Sequence, residues 1–497
     1  MSGKLKIARI ITQTAAFLFI AVAFFLLSYP SKFVNTRDFF LSSPALVALA
    51  AISAQYAIPL FLTVLIFAAA ALLFGRVFCG WVCPYGAVMD FFAFIAGPFK
   101  KWNESAPSKA LMSKYVLLLF FLILAVLGFQ FVWFFEPLTV FGRFFNLALY
   151  PFINLAVDKG FQYAIMNYGF GEGAYYFLRG NVFDARQISF AYSFSFFALF
   201  IIPVLLVLYK RRFWCRYICP LGASLGILSA NPVFKLNLPE CKLHCGKCEN
   251  MCRANAIKRE GTYIPGECVM CMECTALECR QPEGQSGVRN EKLGVNGKGI
   301  TRKQFLFWGS GIFAALYMAG RKVYASGHYK LSQVIRPPGA IAEREFKQAC
   351  VRCGNCMKVC VTNGLQPAMT ESGIDGIWTP KMDNYIGYCE YNCNACGLVC
   401  PTQAIESLSM EEKMKRSIGR AEIIKDVCLP WKDGTSCLVC EEHCPVPDKA
   451  IKFVPETING KSVEVPVINL DICVGCGVCQ NKCPVEGKNR GVTVHPL

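Results

Sequence analysis

The sequence predicts a multidomain membrane protein, with an α-helical transmembrane bundle of four or five helices followed by small cysteine-rich α+β domains. Three observations carry this reading. Apolar residues make up 54% of the 497 positions, and the long apolar runs fill roughly the first 210 of them. Behind that region the chain turns polar, and most of its 28 cysteines fall there in tight clusters. The formal charge of +17 is gathered largely beside the apolar segments. A chain of this length exceeds one compact core, so roughly two to four units are expected.

Four segments are long enough to cross a bilayer: 8–29, 56–75, 115–134 and 189–209. The stretch 44–55 is apolar as well and extends the second span or precedes it as an interfacial helix. Lys4, Lys6 and Arg9, then Lys100 and Lys101, then Lys210, Arg211 and Arg212 flank these segments. They place the N-terminus, the 76–114 loop and residue 210 onward on the cytoplasmic side of a bacterial or archaeal inner membrane. The loop 136–188 then faces outward, apolar and aromatic enough to lie along the membrane surface. The first apolar segment lacks a cleavage site, so no removable leader is expected. Lipid accounts for the basic charge, and no nucleic-acid partner is called for.

The membrane part contains a repeat. Residues 78–87 read F-C-G-W-V-C-P-Y-G-A and residues 214–223 read W-C-R-Y-I-C-P-L-G-A. Each C-x-x-x-C-P follows a spanning segment and basic residues, at the cytoplasmic end of a helix. Duplicated membrane halves often share a site where they meet. Cys79, Cys83, Cys215 and Cys219 are therefore expected to converge on one iron–sulfur site at the membrane boundary. Both [2Fe–2S] and [4Fe–4S] clusters take four thiolates.

The other 24 cysteines form six quartets of C-x-x-C type. Zinc sites usually separate two such pairs by a finger, and secreted disulfide scaffolds are small. Four cysteines within about a dozen residues, repeated six times, is the spacing of ferredoxin-like [4Fe–4S] domains. Cys241, Cys245, Cys248 and Cys252 are followed by Cys268, Cys271, Cys274 and Cys279. In two-cluster ferredoxins the fourth cysteine of each run serves the other cluster. That rule joins Cys279 to Cys241, Cys245 and Cys248, and Cys252 to Cys268, Cys271 and Cys274. Four more quartets follow: Cys350, Cys353, Cys356 and Cys360; Cys389, Cys393, Cys396 and Cys400; Cys428, Cys437, Cys440 and Cys444; Cys473, Cys476, Cys479 and Cys483. Ala404-Ile405 and Ala450–Phe453 fit the short strands of such a fold.

Absences narrow the chemistry. No C-x-x-C-H occurs, and none of the four histidines lies in a spanning segment, so covalent haem c and bis-histidine haem b are not expected. No Gly-rich strand-to-helix fingerprint or phosphate-binding loop appears, so nucleotide binding has no support.

The region 1–290, with Cys79-Gly-Trp-Val-Cys83-Pro84, Cys215-Arg-Tyr-Ile-Cys219-Pro220 and two ferredoxin quartets, resembles the NapH type of membrane ferredoxin. Residues 301–497 resemble the NapG/MauM type, through Arg336-Pro337-Pro338-Gly339-Ala340, Cys350-Val-Arg-Cys353-Gly and the gap from Cys428 to Cys437. The chain reads as a fusion of two usually separate subunits: a transmembrane domain at 1–235, a two-cluster ferredoxin at 236–290, a linker at 291–335 and a four-cluster ferredoxin at 336–497. Thr301-Arg302-Lys303-Gln304-Phe305-Leu306 and the apolar run after it resemble a twin-arginine signal with Lys in place of the second Arg. The alternative is an ordinary fifth helix or an interfacial one. The resemblance implies outer–inner ligand exchange in the last domain: Cys350, Cys353 and Cys356 with Cys483; Cys473, Cys476 and Cys479 with Cys360; Cys389, Cys393 and Cys396 with Cys444; Cys428, Cys437 and Cys440 with Cys400. Exchange between neighbouring quartets is the alternative.

The expected function is that of a quinol-dehydrogenase module in a multisubunit complex. It would pass electrons between the quinone pool or a cytoplasmic donor and a periplasmic redox partner, such as a multihaem cytochrome or another respiratory subunit. The last domain would be periplasmic. A second class is an assembly or regulatory ferredoxin that supports maturation of a respiratory metalloenzyme. A quinone site needs an apolar groove with a proton-accepting group, and Glu136 beside Pro137 is the candidate. The expected cofactors are six [4Fe–4S] clusters, a seventh iron–sulfur cluster at Cys79, Cys83, Cys215 and Cys219, and quinone as substrate.

Overall fold

A computed structural model of the chain describes residues 2–25, 61–100, 102, 108–169, 171–181, 183, 188–234, 247–257, 263–274, 334–487 and 489–497. The chain divides into two compact units. The first is Met1–Phe17, Leu65–Val132 and Pro203–His328; the second is Leu18–Val64, Trp133–Ile202 and Tyr329–Leu497.

The helices that frame the repeats and the apolar segments, in chain order, are α1 (Ser2–Phe25), α2 (Phe61–Phe74), α3 (Val77–Trp81), α4 (Pro84–Ala96), α5 (Ser113–Val126), α6 (Pro137–Tyr168), α7 (Ser193–Leu205), α8 (Phe213–Tyr217) and α9 (Pro220–Leu228). Each expected span contains a helix where it is described, but most of these helices are short: in 115–134 the α-helix ends at Val126, and in 189–209 it begins only at Ser193. Among the described residues two helices are long and apolar enough to cross a membrane, where four or five were expected. One is Leu5–Phe24 within α1, with mean hydropathy 1.9. α5 has 14 residues, which at about 1.5 Å per residue covers only about 21 Å of a roughly 30 Å core. Gly128, at φ 92, turns the chain out of the helix just beyond it. α7 contains Pro203, which removes one rung of its ladder, and tightens to a 3₁₀ turn at Leu206–Leu208.

The second long helix falls in 136–188, read from sequence as a surface loop. α6 runs 32 residues with mean hydropathy 1.4, and 67% of its most apolar window is buried inside the protein. Pro137 occupies the first helical position and Glu136 caps it, accepting a 2.6 Å hydrogen bond from the Thr139 amide. The ladder loosens into a π turn at Phe145–Leu149, just before Pro151, whose ring crowds the carbonyl four residues back. Gly169, at φ 60, ends the helix. The stretch 44–55 and the Thr301–Leu306 segment lie outside the described residues.

The last domain is built of short pieces. β1 (Leu365–Pro367) pairs antiparallel with β2 (Pro380–Met382). β3 (Arg420–Ile423) pairs likewise with the last strand, Val492–His495. Ile451–Ile458 and Lys461–Ile468 form a hairpin whose Asn459 and Gly460, at φ 52 and 77, make the tight primed turn that suits strand twist. Ile405 bridges Ala340, so both short apolar segments noted in the sequence lie in β pairing.

Candidate functional site

In the first unit, the two repeats fold alike. Cys83 and Cys219 each stand at the N-cap of a helix that begins with proline, at φ −58, ψ 117 and φ −59, ψ 113. The Cys83 amide donates to the Phe78 carbonyl and the Cys219 amide to that of Trp214, each at 2.9 Å. The short helices α3 and α8 hold Cys79 and Cys215. All four thiols are buried, and each lies within electrostatic reach of others in the set. The structure brings these four thiols together in one buried group.

One arginine three residues before each pair locks the halves together. Arg212 donates to the Cys79 carbonyl at 2.9 Å, and Arg76 donates to that of Cys215 at 3.4 Å. Each reaches the opposite repeat. Gly86 and Gly222 make room: a Cβ on Gly86 would lie 2.8 Å from the Cys79 carbonyl, and one on Gly222 would lie 2.8 Å from the Arg76 guanidinium. Both arginines are buried. Asp90 receives Arg212 through two bonds of 2.8 and 2.6 Å, together with Arg9 at 3.2 Å and Arg253 at 3.1 Å. Burial raises the Asp90 carboxyl, but Arg212, Arg253 and the Gln13 amide outweigh it and hold it well below the usual carboxylate range. Arg76 is received at 3.3 Å by Glu267, which also takes Lys114 and, at 2.7 Å, the Tyr115 hydroxyl. Arg212 was read from sequence only as a membrane flank, and Arg76 was not singled out. The repeat extends to them (R-x-x-C-x-x-x-C-P-x-G-A in both copies), and that was the available signal.

Glu267 belongs to the two-cluster ferredoxin segment. There Cys252, Cys268, Cys271 and Cys274 lie within electrostatic reach of one another, the set expected from the exchange rule. Cys241, Cys245 and Cys279 lie outside the described residues, as does the side chain of Cys248.

In the second unit four quartets assemble. One cavity is lined by Cys350, Cys353, Cys356 and Cys400, another by Cys428, Cys437, Cys440 and Cys483. Cys360 joins Cys389, Cys393 and Cys396, and Cys444 lies with Cys473 and Cys476, which neighbour Cys479. Neighbouring quartets therefore exchange their fourth cysteine, and the outer–inner pairing is corrected. Cys483 does not join the Cys350 set, Cys360 the Cys473 set, Cys444 the Cys389 set, or Cys400 the Cys428 set. The cause is local packing: helix Asn355–Lys358 packs on Ala395–Leu398, and Val439–Glu442 on Val478–Lys482. The four sets form a series. Cys356 neighbours Cys396, the Cys389 amide donates to the Cys476 carbonyl at 2.8 Å, and Cys479 neighbours Cys440.

These sites fit cubane clusters. Arg352, Met270 and Gly475 occupy the same place in their C-x-x-C loops and all have positive φ, as do Gly354, Met272 and Gly477 just after the second cysteine. That backbone turns amides inward into a concavity for an anionic group. Amides donate to sulfur at Met270→Cys268 (3.4 Å), Ala256→Cys252 (3.1 Å), Ile405→Cys400 (3.4 Å) and Gly222→Cys219 (3.1 Å). Burial pushes the thiols up, Cys215 and Cys268 to about 11 and Cys353 and Cys389 to about 12. Held as thiolates, such groups need nearby positive charge, which iron supplies. Among the described residues no three His, Cys, Asp or Glu side chains are placed to hold a single metal ion.

Beside the Cys350 set lies a second buried polar group. Asn146 donates to the Cys353 carbonyl at 3.2 Å and to Asn355 at 2.7 Å. Arg143 stacks on the Trp378 ring at 4.7 Å and donates to the Trp133 carbonyl at 2.5 Å, leaving Nε and Nη1 without partners. Glu136 Oε1 and the Trp133 and Trp378 indole nitrogens are unpartnered as well. Burial pushes the Glu136 carboxyl up to about 7, against the hydrogen bonds from the Thr139 and Leu138 amides.

A family model described as a 4Fe-4S binding domain matches residues 56–101 and 192–239, the two repeats. The methylamine utilization ferredoxin-type protein MauM of Methylorubrum extorquens is 33% identical over 156 residues, covering 31% of this chain and 69% of that protein. The ferredoxin-type protein NapG of Escherichia coli is 36% identical over 169 residues, 33% of this chain and 71% of that one. Protein NirI of Paracoccus denitrificans is 30% identical over 209 residues, covering 41% of this chain and 25% of its own length. No solved structure matches.

Proposed function

The chain belongs to the MauM and NapG family of ferredoxin-type proteins, and from that premise we propose that it is the membrane-bound redox module of a quinol dehydrogenase, a NapH-like half fused to a NapG-like half. An iron–sulfur electron-transfer role follows from the relatives and from the 4Fe-4S binding domain at the repeats. The observation that carries the finer reading is the convergence of four buried cysteines from the two repeats, with a ferredoxin segment packed on them through Glu267. Bound to the cysteine sets, iron–sulfur clusters would supply one-electron redox chemistry.

The residues have separate tasks. The cysteine sets hold six [4Fe–4S] clusters in the ferredoxin arrays and a seventh at Cys79, Cys83, Cys215 and Cys219. Arg76 and Arg212 place positive charge beside that seventh site. In the second unit the serial order of the four sets suits conduction from the Arg143 end to the Cys428 end. Glu136, buried with a free carboxylate oxygen, is the group to take a quinol proton near neutral pH, and the unpartnered Arg143 and indole donors suit a quinone oxygen. The four-cluster domain falls in one compact unit with 133–202, which contains the loop 136–188 that the flanking charges assign to the outer face, and this supports a periplasmic position and a periplasmic partner.

Iron and sulfide quantitation on anaerobic protein should give about 26 iron atoms per chain if the seventh centre is [2Fe–2S] and about 28 if it is [4Fe–4S], against about 24 for six clusters alone. Cys83→Ser with Cys219→Ser should remove one centre and leave six. Cys400→Ser should remove the Cys350 centre and Cys483→Ser the Cys428 centre, read by EPR. Quinol should reduce the clusters in proteoliposomes, more slowly in Glu136→Gln. Iron content unchanged in the double serine variant sinks the seventh site, and absent reduction by quinol sinks the dehydrogenase reading.

A further inference from the structure

The ferredoxin segment meets the repeats at one point close enough to exclude any side chain. A Cβ on Gly80 would lie 2.0 Å from the Val269 carbonyl oxygen. Gly80 follows Cys79, and Val269 follows Cys268 and stands two residues before Cys271. One van der Waals contact between backbones therefore separates residues covalently next to ligands of two different sites. The Trp81 indole fastens it from one side, donating to the Met270 carbonyl at 2.9 Å. Gly226 and Gly266 fasten it from the other, where a Cβ on Gly266 would come 2.6 Å from the Gly226 carbonyl. The Arg212 guanidinium interacts with Cys215 of one site and Cys271 of the other. The second repeat has no such opening, because its equivalent of Gly80 is the buried Arg216.

We infer that the Gly80–Val269 contact is the electron-transfer junction between the ferredoxin segment and the repeats, and that the set Cys252, Cys268, Cys271 and Cys274 exchanges electrons directly with the four-cysteine site. This rests on the reading of Cys79, Cys83, Cys215 and Cys219 as a cluster site. One electron leaves one centre and arrives at the other; no bond breaks and no proton moves. Gly80, Trp81 and Arg212 act as positioning residues, since they hold the backbones together without ligating iron.

The test is pulsed and continuous-wave EPR on the anaerobically reduced full chain in detergent, with iron counted on the same samples. The wild type should show magnetic interaction between the repeat centre and one ferredoxin centre, and Cys274→Ser should abolish it. Gly80→Leu should keep the full iron count and lose the interaction, because its side chain pushes the 268–271 loop away. Trp81→Phe, a milder change, should weaken it and serves where Gly80→Leu fails to assemble. A repeat centre that is present but shows no interaction in the wild type overturns the junction alone, as does interaction undiminished in both variants. Absence of the repeat centre from the wild type overturns the parent reading instead.

Discussion

In the first half of the repeat Cys83 opens α4 and Arg76 reaches across to Cys215; in the second, Cys219 opens α9 and Arg212 reaches back to Cys79. The backbones superpose in angle and hydrogen bonding, yet the arginines are neutralised differently. Arg212 finds Asp90, seven residues after Cys83 on α4. The equivalent place on α9 is Gly226, and Arg76 instead finds Glu267, carried in by the ferredoxin segment. The two copies share the cation, but only the first carries its own acid. Glu267 of the ferredoxin segment supplies the acid that position 226 lacks, and the glycine there also leaves the surface on which Gly266 packs. Charge neutrality at the buried site and attachment of the ferredoxin segment thereby become one requirement.

The largest effect that tests this asymmetry is removal of each acid. Taking one partner from a buried ion pair costs about 3–5 kcal/mol, because the remaining charge stays buried. Asp90→Ala strands Arg9 and Arg212, with Arg253 keeping Glu273; Glu267→Ala strands Arg76 and Lys114. Both variants should melt well below wild type. Hydrogen exchange should separate them: Asp90→Ala loosens the N-terminal part of α1, which Arg9 and Gln13 tie to Asp90, whereas Glu267→Ala loosens 263–274. The same pattern of exchange in both would mean that the two acids do the same work and the comparison fails.

What could be read in advance follows the range of each interaction. C-x-x-C loops specify their own backbone, so the cysteine sets were legible down to the pairing of Cys252 with Cys268, Cys271 and Cys274. The pairing at 350–483 was not, because which fourth cysteine arrives depends on helices packing across 40 or so residues, and no local pattern encodes that. α6 escaped notice because Arg143, Pro151, Asp158 and Lys159 interrupt its apolar run. The acid exchange between Asp90 and Glu267 leaves only a mismatch at position 226 in the sequence, which has no meaning until the partner is seen.

A smaller effect contrasts Asp90 with a buried acid that lacks a close counter-ion. Burial carries the Glu136 carboxyl from 4.5 to about 7. The folded protein therefore keeps a proton that the unfolded chain releases between about pH 4.5 and 7, and stability falls as pH rises through that window. At about 1.4 kcal/mol per unit, the loss is on the order of 3 kcal/mol. Thermal midpoints across this range should flatten in Glu136→Gln. An identical slope in the variant would show that Glu136 is charged throughout, as Asp90 is at neutral pH.

The smallest effect lies at the two glycines that admit the crossing arginines. In Gly86→Ala the new methyl meets the Cys79 carbonyl at 2.8 Å, a backbone atom already fixed by Arg212; in Gly222→Ala it meets the Arg76 guanidinium at 2.8 Å and the Cys215 carbonyl only at 3.4 Å. Overpacking a filled site costs about 1–3 kcal/mol, while alanine in place of glycine in a helix returns up to about 1 kcal/mol. A side-chain end can yield more than a backbone carbonyl, but Arg76 is held by Glu267, Gly266 and Cys215 together. Gly222→Ala should therefore cost less than Gly86→Ala by about 1 kcal/mol, a few degrees in thermal midpoint. The gap should widen in the Glu267→Ala background, where Arg76 is released and can move aside, and narrow in Asp90→Ala, where Arg212 no longer anchors the Cys79 carbonyl as firmly. A gap unchanged in both backgrounds would show that the imported acid does not hold Arg76 in place, and that the asymmetry between the repeats is one of sequence alone.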